Sequence, residues 1–239
     1  MCYHVSFKAK AHDLIKAFDA PFPEANQVQE FYHANGFNLP KLPALVNDPT
    51  GRKLELIRWG YIPDDIESID EAKTVARKRL NARSEAVWFN SYKEAIFNNR
   101  CIIPVSGFFE SKHVGKEKIP HYIHPKENKF FNLIGLHHKW IDPVNKSEID
   151  SFAILTGPAN ELMASIHNSA KRMPLMIDSN QIEMWLDPGL SKQDIKALMK
   201  PCDDRNMAAY PISKIFSKPK VDSNIPEIIE PISIPTLFD

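Results

Sequence analysis

Glycine is scarce in this chain, with 8 residues in 239 against 19 prolines. That balance points to a β-rich body joined by stiff connections. Cysteine is scarcer still. Cys2, Cys101 and Cys202 are too few for a disulfide framework, which indicates a reducing compartment. No apolar run approaches the roughly 18 residues that a membrane span needs, and no secretory pattern opens the chain. The expectation is a soluble cytoplasmic protein with no membrane partner. Net charge is also missing: 30 basic residues balance 30 acidic ones, and the pI is near 7.1. The molecule as a whole is therefore no electrostatic binder of nucleic acid, and any such site must be a local basic patch. Linkers and low-complexity tracts are absent, so a single domain over residues 2–239 is expected, with a Pro-rich tail from about 217. A hydrophobic content of 43% is ample for its core.

Strand-like stretches recur along the chain. Tyr3–Phe7, Ala44–Val46, Leu54–Gly60, Phe130–Leu136, Ser151–Thr156 and Ala208–Ile212 each read as strands, and Arg100–Glu110 as a core strand bent at Ser106-Gly107. Helices are expected over Ala9–Phe18, Glu71–Arg79, Ala159–Ile166 with Pro158 at its first turn, Gln181–Leu186 and Ser191–Met199. Leu80–Val87 reads as a strand with Asn81, Arg83 and Glu85 on one face, beside a helix rich in Lys73, Arg77, Lys78 and Arg79. Ser111–Asn128 reads as a charged loop leading through a strand at His121–His124. His121, His124, His137 and His138 match no zinc spacing, so no metal is expected.

Chemistry concentrates at the start. Removal of Met1 would leave Cys2 with a free α-amine beside its thiol, titrating near about 8 and about 8.5. A neutral amine attacks an aldehyde to give an imine, and a neighbouring thiol can close on the imine carbon to give a five-membered thiazolidine. Glu110 directly follows Phe108-Phe109, and a carboxylate against aromatic surface suits proton shuttling near neutrality. His167, at a helix C-terminus, reads either as a capping residue or as an acid near neutrality. Arg83 and the nearby basic cluster read as anion contacts.

Met1-Cys2, Asn38-Leu39-Pro40, Arg58-Trp59-Gly60, Asn81-Ala82-Arg83-Ser84-Glu85, the run Arg100 to Glu110, and Ile166-His167 with Arg172-Met173-Pro174 appear in that order. Together they resemble the SRAP family (SOS response-associated peptidase), and the resemblance spans nearly the whole chain. It implies an α+β fold with a β-barrel-like core and peripheral helices. Cys2 would lie in a groove for single-stranded DNA and form a thiazolidine crosslink with the ring-opened aldehyde of an abasic site. Asn81 would orient the site, Glu110 serve as acid and base, and His167 act on the sugar. His4, Pro40, Trp59, Arg77, Arg83, Lys171 and Arg172 would line the DNA path, with Trp59 or Tyr3 stacking on a base. The resemblance further implies a monomer that needs no cofactor and reaches the nucleoid of a bacterium when DNA is damaged.

The chain departs from the family pattern at three places. Cys2 is followed by Tyr3-His4 rather than Gly-Arg, Ser111 stands where a tryptophan is usual, and the turn between His167 and Arg172 is longer. Two other functions fit part of the sequence. An N-terminal-nucleophile amidohydrolase or peptidase would use the Cys2 thiolate, but the Gly-rich loops and Asn-Gly oxyanion site of such enzymes are not found after Cys2. A noncovalent reader of damaged DNA would need the basic patch and aromatics but neither Glu110 nor His167.

Overall fold

Alternating apolar residues and proline-bounded turns produce short strands, thirteen of them among the residues described by the computed structural model, which are 2–49, 51–217 and 221–232. In chain order the elements are β1 (His4–Phe7), α1 (Ala11–Phe18), β2 (Phe31–Asn35), β3 (Lys41–Asp48), β4 (Gly51–Trp59), α2 (Ile69–Lys78), β5 (Asn81–Arg83) and α3 (Ala95–Asn98). They continue as β6 (Arg100–Val105), β7 (Gly107–Val114), β8 (Glu117–Pro125), β9 (Phe131–Ile141), β10 (Glu148–Pro158), α4 (Glu161–Ile166), β11 (Arg172–Pro174) and β12 (Met176–Ile177). The last are α5 (Ile182–Leu186), α6 (Lys192–Leu198) and β13 (Met207–Pro211). The fold is α+β, as expected.

Five strands close a barrel. β10, β4, β3, β6 and β9 pair in turn, and β9 pairs back onto β10. The ring is antiparallel except where β4 meets β10 in parallel at Arg58–Ser151 and Trp59–Phe152. Leu45, Ile102, Ile134 and Leu136 are fully buried among the side chains that fill it. β4 must stop at Gly60, whose φ of +128° suits glycine and whose added Cβ would meet Leu39 and the Ala76 carbonyl at 2.8 and 2.9 Å. After α2 the chain returns as β5, which takes the next stretch of β10 in parallel, Asn81 opposite Ile154 and Arg83 opposite Thr156.

A second sheet, in the order β13-β8-β7-β1-β2, carries the N-terminal strand. It is reached through the bend at Ser106. The stretch read as one strand is two: β6 belongs to the barrel, β7 to the second sheet, and Ser106 N–H donates to the Ser6 carbonyl at 2.9 Å between them. Gly107 lies opposite Ser6 and against the Tyr122 ring, so the two sheets join where no side chain fits. Residues 221–232 fold back on this sheet, with Ile228 buried and Tyr210 donating to the Ile229 carbonyl at 2.6 Å. Residues 218–220 and 233–239 of the Pro-rich tail lie outside the described residues.

Three local expectations differ from the structure. The strand read over Leu80–Val87 ends at Arg83, because Ala86 N–H and Val87 N–H turn back to the Arg83 carbonyl and place Glu85 in a turn. The charged loop after Ser111 is a hairpin, with β7 and β8 paired from Phe108–Ile123 to Val114–Glu117. Pro158 ends β10 rather than opening α4, whose cap is Asn160 accepting from Met163 N–H at 2.9 Å.

The join between the sheets gives a stability prediction. In Gly107→Ala the new Cβ would lie 2.5 Å from the Tyr122 ring and 2.6 Å from the Ile123 carbonyl oxygen. Overpacking of this kind should destabilise the protein by about 1–3 kcal/mol in chemical denaturation. A change under about 0.5 kcal/mol would mean the contact relaxes freely.

Candidate active site

Each proposed catalytic side chain arrives on a different element, and the pairing brings them to the residue ahead of β1. β1 runs antiparallel to β7 through Val5–Phe108 and Ser6–Gly107; run back toward the N-terminus, that register brings Glu110 alongside Tyr3. Asn81 opens β5 and donates from Nδ2 to the Cys2 carbonyl at 2.8 Å. Its Oδ1 is buried with no hydrogen-bond partner among the described residues. His167 caps the C-terminus of α4 with its N–H on the Met163 carbonyl. Asn168 then latches that turn to β7, accepting from His113 N–H at 3.1 Å and donating to the His113 carbonyl at 2.8 Å. His167 Nδ1 lies 3.9 Å from Glu110 Oε1, and both side chains are nearly buried.

Two features define the electrostatics. Cys2 is fully buried, its Sγ 3.9 Å from the His4 carbonyl. Burial pushes the thiol well above its ordinary value, and the Glu110 charge pushes it further. The sulfur is thus a neutral thiol at physiological pH, unlike the thiolate of a cysteine hydrolase. His167 Nδ1 is 2.8 Å from the Arg172 carbonyl, so this nitrogen carries a proton and Nε2 is left for a second partner.

The basic residues divide into bound and open ones. Arg172 is committed within the protein: its guanidinium grips both Glu85 carboxylate oxygens at 2.7 and 3.1 Å and the Thr156 carbonyl at 2.7 Å. Its expected place as a DNA cation is therefore corrected to that of a clamp, which seats β11 against β10 and holds His167 through its carbonyl. Glu85, which the sequence placed on the strand face, is the other half of the clamp. Arg83 is exposed, and its side chain has no hydrogen bond or ion pair among the described residues. Lys171 is exposed at a φ of 49°, in the turn after His167. Arg77 is exposed on α2 and donates from Nε to the Phe37 carbonyl at 3.2 Å. Pro40 is half-buried, its carbonyl accepting from Trp59 N–H at 2.8 Å.

Two expected DNA contacts are corrected by burial. Trp59 is fully buried, stacked on Phe152 at an interplanar angle of 5°, and its indole N–H donates to the Leu80 carbonyl at 2.9 Å. It is core, and no base can reach it. His4 packs on His33, with Nδ1 2.9 Å from His33 Nε2, while His33 Nδ1 meets Ser223 Oγ at 2.6 Å. Burial, together with the charge of His33, lowers His4 to about 4, so it supplies no cation to a phosphate near neutral pH. His121, His124 and His138 each bring Nδ1 to a main-chain carbonyl, and among the described residues no three ligands converge on a metal position. Open clefts of about 590, 520 and 460 Å³ have neither Cys2 nor Glu110 in their walls.

The site is thus a buried cysteine at position 2, held by the Asn81 amide where the barrel joins the second sheet, with the Glu110 carboxylate and the His167 imidazole 3.9 Å apart. The chain belongs to the SOS response associated peptidase (SRAP) family, whose model matches residues 1–219. A relative from Bacillus subtilis named abasic site processing protein YoqW is 31% identical over 96% of this chain and 99% of its own length. The abasic site processing protein HMCES of Xenopus tropicalis is 27% identical over 77% of this chain and 59% of its own. A crystal structure of a Bacteroides thetaiotaomicron protein superposes with a TM-score of 0.89 at 32% identity, covering 97% of this chain and 100% of that one.

The paired histidines carry a pH prediction. His33, like His4, is lowered by burial from an ordinary value near 6.5 to about 4. Between those values the unfolded chain binds more protons, so their contribution to stability is complete above about pH 6.5 and lost as pH falls toward 4. Denaturation midpoints should drop over that window, by up to about 1.4 kcal/mol per pH unit for each histidine. A His4→Phe variant should show a shallower drop, and an unchanged slope would contradict the assignment.

Proposed function

We propose that this chain processes abasic sites in single-stranded DNA by capturing the lesion's aldehyde on Cys2, forming a DNA–protein crosslink that shields the site from strand cleavage. The observation that supports the reading is that the Asn81 amide bonds the Cys2 carbonyl while Glu110, whose charge acts on Cys2, lies 3.9 Å from His167. The names of the relatives support abasic DNA as the substrate.

The route follows from proton positions. Loss of Met1 frees the Cys2 amine, and the unpartnered Asn81 Oδ1 is an acceptor beside it that can orient its lone pair. An abasic sugar is mostly ring-closed; His167 Nε2 takes the proton of the C1′ hydroxyl and delivers it to the ring oxygen, which breaks the ring C–O bond and exposes the aldehyde. The amine adds to C1′; Glu110 protonates the departing hydroxyl, and one water leaves as the imine forms. The neutral thiol then adds to the imine carbon, its proton passing through Glu110 to nitrogen, and the thiazolidine closes with no further leaving group. A thiol kept neutral by burial suits this order, in which nitrogen attacks first. The same burial disfavours the amidohydrolase or peptidase alternative, which starts from a thiolate. Arg83 and Lys171 hold flanking phosphates as exposed cations.

Purified protein should lack Met1, and Cys2→Ala should abolish the gel-stable adduct with abasic single-stranded DNA, while Cys2→Ser gives at most a weaker imine-type adduct. An undiminished adduct in Cys2→Ala would overturn the reading. Holding DNA and reacting with it should also separate. Arg83→Ala should weaken binding to intact strands and lower the salt slope by about 0.7, whereas Glu110→Gln should slow crosslinking with binding nearly unchanged. Equal loss of affinity in both would contradict this division.

A further inference from the structure

Trp59 is inside the core and Ser111 offers no ring, so the surface on which a base could stack has to lie elsewhere. Phe37 is 44% exposed, an uncommon position for a phenylalanine, and its ring centroid lies 5.2 Å from that of half-buried Tyr3, the residue after Cys2. We infer that Tyr3 and Phe37 form a stacking shelf for the base next to the lesion, and that this shelf sets the base preference around the abasic site. The inference rests on the proposed function and names the part of the site that reads the substrate.

The shelf is built rigidly. Asn35 Oδ1 accepts from Phe37 N–H at 3.0 Å, and Gly36 N–H donates to the Tyr3 carbonyl at 2.9 Å. Arg77 holds the Phe37 carbonyl at 3.2 Å, and Leu39, at a φ of 53°, closes the turn onto the Gly36 carbonyl at 2.8 Å. A Cβ on Gly36 would come within 3.0–3.2 Å of Leu80 and Trp59, so the turn is pressed against the core. Trp59 thus supports the shelf from beneath. A ring fixed in this way loses little freedom when a base lands on it.

Its position matches the need. The β1–β7 register brings Glu110 alongside Tyr3, so the shelf adjoins the acid. Arg77 and Arg83 leave positive charge beside it for the flanking phosphates. A missing base removes the stacking partner of its neighbour, and an aromatic ring restores that contact for any base, more strongly for a purine. Phe89, the other phenylalanine exposed among the described residues, sits under Lys192 in the turn after Trp88 and shares nothing with Cys2.

The test uses the full chain in a Cys2→Ala background, where only noncovalent binding is read. Single strands carry a tetrahydrofuran abasic analogue flanked, on the 5′ or the 3′ side, by adenine, thymine or a second tetrahydrofuran. On one side the adenine flank should bind about tenfold tighter than the tetrahydrofuran flank, with thymine between. Phe37→Ala should compress that spread to within about twofold, and Phe37→Trp should restore it; the unfolding midpoint of each variant verifies its fold. No spread on either side, or a spread that survives Phe37→Ala, would overturn the inference, the second result leaving the ring as a protein-docking patch. Failure of the Cys2 adduct in the native chain would fall on the proposed function instead, since this spread is measured without it.

Discussion

The site depends on holding a chain terminus still. The first residues of most domains fray unless something ties them down, and here they are tied from two sides. β1 pairs with β2 and β7 in the second sheet, while the Asn81 amide reaches from β5 to the Cys2 carbonyl at 2.8 Å. β5 owes its place to the parallel pairing with β10, which is available only because β4 stops at Gly60. The barrel therefore fixes Asn81, the second sheet fixes Glu110, and Cys2 lies where the two meet. In the proposed reaction, once Met1 is removed, amine and thiol would sit on one residue, so placing that residue would place both reactants.

Burial then decides which reactant leads. Removing Cys2 from water and setting Glu110 nearby both oppose a thiolate, which would be a defect in a cysteine hydrolase. In an amine-first capture it is an advantage, because the thiol stays protonated and unreactive until an imine carbon is beside it. The acid face around Cys2 contrasts with the cations at its rim. Arg83, Lys171 and Arg77 are exposed, whereas Arg172 spends its charge on Glu85 and keeps the His167 turn in place. A molecule of zero formal charge can in this way present a basic track without being basic overall.

Much of this was legible in the sequence, and the failures have identifiable causes. The strands followed from alternation, and the α+β class and the grouping of Asn81, Glu110 and His167 with Cys2 from motifs in fixed order. Trp59 shows the limit: alternation alone reads it as core, and only the comparison with the family pattern set it on the DNA path, where its burial excludes it. His4 failed for a similar reason, because its partner His33 lies on a strand paired with β1 and 29 residues away. The Glu85–Arg172 clamp spans 87 residues and had no local signal beyond two charged motifs. Phe37 could have been noticed beside Asn38-Leu39-Pro40, since an exposed phenylalanine in a turn has little reason to be there unless something lands on it.

Mass spectrometry of the adduct tests the central claim most directly. Protein crosslinked to an abasic oligonucleotide would be treated with an alkylating agent under denaturing conditions, digested with nuclease and protease, and its N-terminal peptide weighed. The account predicts a Cys2 peptide lacking Met1, heavier by the abasic residue minus one water, with its sulfur inert to alkylation because both nitrogen and sulfur are bonded to C1′. An alkylated Cys2 in the crosslinked product, or the sugar carried on a lysine, would contradict it.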